Sequence, residues 1–255
     1  GFTPLNTSSA GNDFTWALNT QQNLIGIFMP FPIFFVSSMI SYLFSQYFDV
    51  WIYEKISEFM DYMNMMTYDF NGTWSPDANH NSPLYSPEKG YQGSLDYAFK
   101  LLKERGVPSH KINLGVAFYG RTLQGFKGKE PQLYAEHDGK VDIERFPLHE
   151  GMPLYYRIVD EMDGYDRQEW DDVVKNPYAI STKDSAFITY DNEKSIRMKA
   201  QYAFDNKCAG VIIWDATGDY MEKKKGSLLI TGTPLADQLV EVLQPCNQPR
   251  IQKRY

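Results

Sequence analysis

Cysteine is nearly absent: Cys208 and Cys246 are the only two in 255 residues, too few for a disulfide framework and without zinc spacing. A pair formed in an oxidising compartment and two buried thiols both stay open. Four histidines, His80, His110, His137 and His149, are scattered without metal spacing, so no metal is expected and no other cofactor is implied. Basic charge is scarce as well. The 25 Lys and Arg stand against 32 Asp and Glu, a net charge of -7. That argues against nucleic acid, whose phosphates need a concentrated basic surface, and the lone basic run Lys223-Lys224-Lys225 reads as a solvated loop. No apolar run reaches the roughly 20 residues of a membrane span. The nearest, Ile33 to Phe48, is broken by Ser37, Ser38, Ser41 and Ser45, so a buried or partner-facing helix is read there and a membrane contact is the minority view. Gly1-Phe2-Thr3-Pro4-Leu5 shows no basic segment ahead of an apolar stretch, so no signal peptide is read in it.

What is present is apolar and aromatic. The chain is 43% hydrophobic and 15% aromatic, with 18 Tyr, 16 Phe and 5 Trp. It is long enough for one sizeable domain or for a domain with an insertion. Sugar rings stack on aromatic planes, so this content suits a carbohydrate binder, although an aromatic core would give the same count. Three apolar runs end in aromatic and charged groups: Met63 to Asp69 with Trp74 just beyond, Lys111 to Arg121, and Ala209 to Asp215. Buried strands that release such groups at their C-terminal ends are how α/β barrels build active sites, since the strand fixes the backbone and the loop meets solvent. Tyr68, Asp69, Tyr119, Arg121 and Trp214 are therefore expected round one mouth.

Along the chain, a short helix is read at Phe14 to Leu18 and a strand at Leu24 to Met29, closed by Pro30 and Pro32. Ile52, Ile56, Phe59 and Met60 mark an amphipathic helix. After a loop from Ser75 to Gly93, Ser94 caps a helix with core face Leu95, Ala98, Phe99 and Leu102, stopped by Gly106 and Pro108. Helix then strand, repeated, predicts a parallel βα array. Residues 125 to 186 break that rhythm with glycines and short strand-like pieces, and Ala186 to Tyr190 returns to the sheet pattern. A helix follows from about Glu193 to Phe204, and a last one starts at Thr233-Pro234 through Leu235, Leu239 and Leu243. The tail after Pro245 reads as frayed.

Met66 to Phe70, Phe118 to Arg121, Trp214-Asp215 and the lead-in Asp191 to Ser195 together resemble the family 18 glycoside hydrolases, the chitinases and chitinase-like lectins. Asn81-Ser82-Pro83-Leu84-Tyr85 is similar to a segment of that family as well. The resemblance implies an α/β fold: the C-terminal half of a (β/α)8 TIM barrel with an α+β insertion domain. Residues 1–124 would carry barrel strands and helices (about the fifth to seventh strands), 125–186 the insertion, and 187–255 the final strand and helices. It implies chitin or chito-oligosaccharide as partner, a secreted location and substrate-assisted retaining hydrolysis, in which the sugar's acetamido oxygen replaces a protein nucleophile. In that scheme Tyr68 and Asp69 orient the acetamido group as catalytic residues. Met66, Trp74, Tyr119, Arg121 and Trp214 bind substrate, with Trp214 as the floor and Trp74 on the leaving-group side.

The family's proton donor lies in an Asp-x-x-Asp-x-Asp-x-Glu pattern that does not occur in these 255 residues. The nearest approach, Asp160 to Arg167, has Tyr165 in place of the third aspartate and Arg167 in place of the glutamate. Four strands, near 24, 63, 112 and 211, make half a barrel, and half a barrel leaves unpaired edges. A complementing N-terminal half, from a partner chain or a longer polypeptide, is therefore expected to supply the acid. A lectin or assembly subunit that has lost the acid, and a simple fragment, are the alternatives.

Overall fold

In the computed structural model, residues 50–128, 130–224, 226–227 and 229–244 are described. The helix expected at 14–18, the strand at 24–29, the apolar stretch 33–48, Cys246 and the tail after Pro245 lie outside them.

A three-stranded parallel sheet carries the first layer. Its strands are β1 (Met63–Met65), β2 (Ile112–Ala117) and β8 (Gly210–Trp214), in the order β1-β2-β8. Asn64 faces Asn113 and Asn113 faces Gly210. Alternation along the strands divides their side chains. Met63, Ile112, Leu114 and Val116 enter the apolar core with Phe99, Leu102, Ile196, Ala200, Leu235 and Leu239. Those partners come from three helices: α2 (Leu95–Glu104), α4 (Glu193–Asp205) and α5 (Pro234–Leu243). The opposite face carries Asn64, Asn113, Gly115 and Ala117. There Asn113 donates from Nδ2 to Asn64 Oδ1 at 2.9 Å, and a Cβ on Gly115 would lie 2.5 Å from the Met65 carbonyl and 2.8 Å from the Tyr68 ring. Only glycine lets Tyr68 cross β2 that closely.

Several helix ends are satisfied by named side chains. The Ser94 hydroxyl accepts from Tyr97 N at 3.1 Å, capping α2 as its sequence predicts. Asn192 and Ser195 form a reciprocal capping box on α4. Asp219 Oδ2 accepts from Leu235 N and Ala236 N, each at 2.9 Å, just inside Pro234 on α5. At the end of α1 (Val50–Phe59), Lys111 Nζ donates to the carbonyls of Ser57 and Met60. This helix differs from expectation in one respect: Tyr53 and Ser57 are buried, whereas Phe59, expected on the core side, is 85% exposed. The α2 core face likewise comprises Leu95, Phe99 and Leu102, with Ala98 half-buried.

Between β2 and β8 the chain builds a second, antiparallel sheet, ordered β4-β3-β7-β6-β5. Its strands are β3 (Arg121–Phe126), β4 (His137–Lys140), β5 (Arg167–Asp171), β6 (Asn176–Ser181) and β7 (Ala186–Thr189). Helix α3 (Tyr155–Glu161) packs on it through Tyr155 and Ile158, which share a cluster with Ala179 and Ile188; Leu123, Ile180 and Phe187 form another. The sheet spans Arg121 to Thr189, so the expected limits at 125 and 186 fall inside β3 and at the start of β7.

A buried ion pair ties the chain leaving β7 and the stretch ending at Ser82 to α4. Lys199 Nζ lies 2.5 Å from Asp191 Oδ1 and 2.6 Å from Oδ2, with both side chains fully buried, and also donates to the Ser82 carbonyl. Ser82 Oγ and Ser195 Oγ each donate to Asp191 at 2.6 Å. Removing one partner of such a pair strands a buried charge. Lys199→Met is expected to lower stability by about 3–5 kcal/mol in urea denaturation. Arg197→Ala, which removes the half-exposed pair with Glu241 and the bond from the same nitrogen to Gln238 Oε1, should cost less, about 1 kcal/mol.

Candidate active site

The end of β1 turns sharply at Asp69, whose φ of 60° places a non-glycine residue in the left-handed region. Thr67 Oγ1 donates to the Gly115 carbonyl at 2.7 Å, which fixes the chain just before the turn. The Asp69 carboxylate then receives three donors on one oxygen. Arg121 reaches Oδ1 from Nε at 2.9 Å and from Nη2 at 2.7 Å, and the Tyr119 hydroxyl donates to the same atom. Oδ2 takes none of these bonds, on a side chain 42% exposed. An ionised carboxylate only accepts, so Oδ2 is a ready acceptor for a ligand N–H.

The surrounding rings complete the cluster. The Arg121 guanidinium lies 4.5 Å above the Trp74 ring and 5.8 Å from that of Tyr119. Tyr68 meets Tyr119 edge-on at 6.1 Å, and both pack with Ala117. Burial, and then the neighbouring Asp69 charge, push both phenols well above the ordinary tyrosine value. At neutral pH each is a hydrogen-bond donor. Of the seven expected site residues, Tyr68, Asp69, Trp74, Tyr119 and Arg121 thus converge. Trp214, 57% exposed, joins the cluster only through its pairing with Ala117 across the sheet; Met66 stays 39% exposed and takes no part in the Asp69 contacts. Trp74 is half-buried beneath Arg121.

Several supporting residues were not anticipated. The stretch Asn79-His80-Asn81-Ser82, expected within a surface loop, is wholly buried. Asn81 accepts from Asp69 N through Oδ1 at 3.1 Å and from Phe70 N through its carbonyl at 2.9 Å. Asn71 Nδ2 donates to the His80 carbonyl, and Ser75 Oγ donates to Asn71 Oδ1, both at 3.1 Å. A polar run between two glycines carries no hydrophobic periodicity, so its burial could have been signalled only by its density of turn-bracing Asn and Ser. His80 Nε2 lies 3.1 Å from Asp171 Oδ2 and donates to it. Its Nδ1 has no protein partner, and a neutral ring there leaves an acceptor unpaired rather than a charged N–H. Asp160 sits on α3 paired with Arg157, Asp166 accepts from Thr182, and among the described residues no group of three metal-ligating side chains occurs.

The family model for glycosyl hydrolases family 18 matches residues 31–219. The chain is 31% identical over 188 residues to sporulation-specific chitinase 2 of Saccharomyces cerevisiae, covering 69% of this chain and 35% of that protein. It is also 31% identical over 194 residues to chitinase A1 of Niallia circulans, covering 70% and 27%. Human YKL-39, described as a pseudo-chitinase with retained chitooligosaccharide binding, superposes with a TM-score of 0.65 at 25% identity, over 75% of this chain and 52% of that one. The protein belongs to glycosyl hydrolase family 18, with a TIM-barrel-type fold of mixed α and β content. It spans about a third of the length of the curated relatives it matches.

Two measurements follow from this geometry. Burial depresses the basicity of His80 and His137, so below the ordinary histidine value of about 6.5 the unfolded chain binds more protons than the folded one. Stability should be full above that pH and fall as pH drops from 6.5 towards 5; equilibrium unfolding across this window should show a shallower decline in His80→Gln. Arg121→Met, which removes both guanidinium bonds to Asp69 and the cover over Trp74, should lower stability by about 1–3 kcal/mol in denaturation followed by tryptophan fluorescence.

Proposed function

We propose that these residues form one side of the groove of a secreted, chitinase-like protein that takes β-1,4-linked N-acetylglucosamine polymers. The observation that carries the reading is the convergence of Tyr119 and Arg121 on Asp69 Oδ1, which leaves Oδ2 for the N–H of an acetamido group. In a substrate-assisted retaining reaction the acetamido oxygen attacks the anomeric carbon as the glycosidic C–O bond breaks and the leaving oxygen takes a proton from the general acid; water then opens the cyclic intermediate. Asp69 accepts from the amide nitrogen and raises the nucleophilicity of that oxygen, while Tyr68 donates to the same group and aligns it. Trp214 lies beneath the distorted sugar and Trp74 on the leaving-group side; Arg121 and Met66 meet the neighbouring ring, and Tyr119 serves the substrate through its hold on Asp69.

The parallel strands β1, β2 and β8 are read as barrel strands, and the antiparallel sheet as an inserted domain walling the groove. The proton donor and the rest of the barrel are assigned to a complementing half, on a longer polypeptide or a partner chain. A general acid contributes typically 10²- to 10⁴-fold, so the residues described here serve binding and orientation. A second reading, binding without turnover, is favoured by the described property of YKL-39, whose fold this chain shares.

Calorimetric titration of the natural-length protein with chitotetraose, alongside a chromogenic chitobioside assay, tests both. Binding that weakens about tenfold or more in Asp69→Ala, a change of ~1.4 kcal/mol, is expected. Turnover lost with Asp69→Ala supports the enzyme and binding with no turnover the lectin; no binding at all would overturn both.

A further inference from the structure

We infer that Asn81 is a positioning residue for this site, holding the left-handed turn that aims the Asp69 carboxylate; the inference rests on the carbohydrate reading above. A non-glycine residue at positive φ persists only where its surroundings over-determine it. At Asp69 that duty falls largely on one residue, since Asn81 accepts from the Asp69 and Phe70 amides with its side-chain and main-chain oxygens respectively. Asn81 is in turn anchored from the antiparallel sheet: its amide donates to Thr189 Oγ1 at 3.1 Å, at the end of β7. On either side of it, His80 is bonded to Asp171 on β5 and the Ser82 carbonyl to Lys199 on α4. The segment is fully buried, so it cannot shift into solvent and transmits the position of the sheet to the turn. Asn81 touches no ligand in this scheme and acts through Asp69 alone.

A double-mutant cycle separates that role from a merely structural one. In chitotetraose titrations of the natural-length protein, Asn81→Ala is expected to weaken binding about tenfold. In an Asp69→Gly background, where glycine accepts the left-handed backbone without strain, the same substitution should change affinity less than about twofold. Thr189→Val, which removes only the anchor, should weaken binding in the same direction. Equal losses in both backgrounds would overturn the inference, as would wild-type affinity in a folded Asn81→Ala protein. Should Asn81→Ala not fold, unchanged affinity in Thr189→Val overturns it instead. A wild type that does not bind chitotetraose refutes the carbohydrate reading and not this one: amide hydrogen exchange at Asp69 and Phe70 then decides, faster exchange in Thr189→Val supporting the inference and unchanged exchange refuting it.

Discussion

The pair between Lys199 and Asp191 is the interaction on which the remaining architecture leans. Each ion taken out of water costs several kcal/mol even after relaxation, so the pair persists only because its hydrogen-bonding capacity is filled. Lys199 spreads its protons over both Asp191 oxygens and the Ser82 carbonyl, while the Ser82 and Ser195 hydroxyls occupy what is left of the carboxylate. An apolar pair of similar volume could match its stability but would bond nothing directional. This one fixes three segments at a point: the start of α4, the chain leaving β7, and the buried stretch ending at Ser82.

From that point the path to the site is short. Ser82 fixed means Asn81 fixed, and Asn81 carries the backbone on both sides of the Asp69 peptide. The antiparallel sheet contributes further. Ala78 N donates to Ala135 O and Tyr134 N to Ala78 O, and Gly139 lies so close to the Thr73 carbonyl that a Cβ would meet it at 2.8 Å. The loop bearing Trp74 is thus pressed against β4 and the segment that leads into it. A carboxylate on a fixed backbone, with its orientation set by Arg121 and Tyr119, loses little freedom when it accepts a ligand, and preorganisation of this kind lowers the cost of binding.

The elements with a strong local signal were legible in the sequence. β1, β2 and β8 are short apolar runs, α2 has its serine cap, and α5 has proline at its first turn; all appear where periodicity and capping place them. The convergence of Tyr68, Asp69, Tyr119 and Arg121 was legible because each stands at or just beyond the end of a neighbouring parallel strand, which brings such residues together. Phe59 misled because an apolar residue at helical spacing is equally compatible with a covered and an open face, and spacing cannot say what lies opposite. The start of the antiparallel sheet carries no break in the pattern, because β3 begins at Arg121, where strand ladder and site share residues. The burial of Asn79 to Ser82 was illegible for a deeper reason: polar residues are buried when distant partners satisfy them, and Thr189, Asp171 and Lys199 all lie far along the chain.

That separation along the chain also bears on the order of assembly. Asn113 pairs with Gly210, so the parallel sheet closes only after roughly a hundred intervening residues have been gathered in, a costly non-local step that slows folding. The hairpins joining β5, β6 and β7 need far shorter loops. The antiparallel unit is therefore suited to form early and, through Thr189 and Asp171, to seat the support of the Asp69 turn before β8 docks and before Lys199 on α4 locks Ser82 in place.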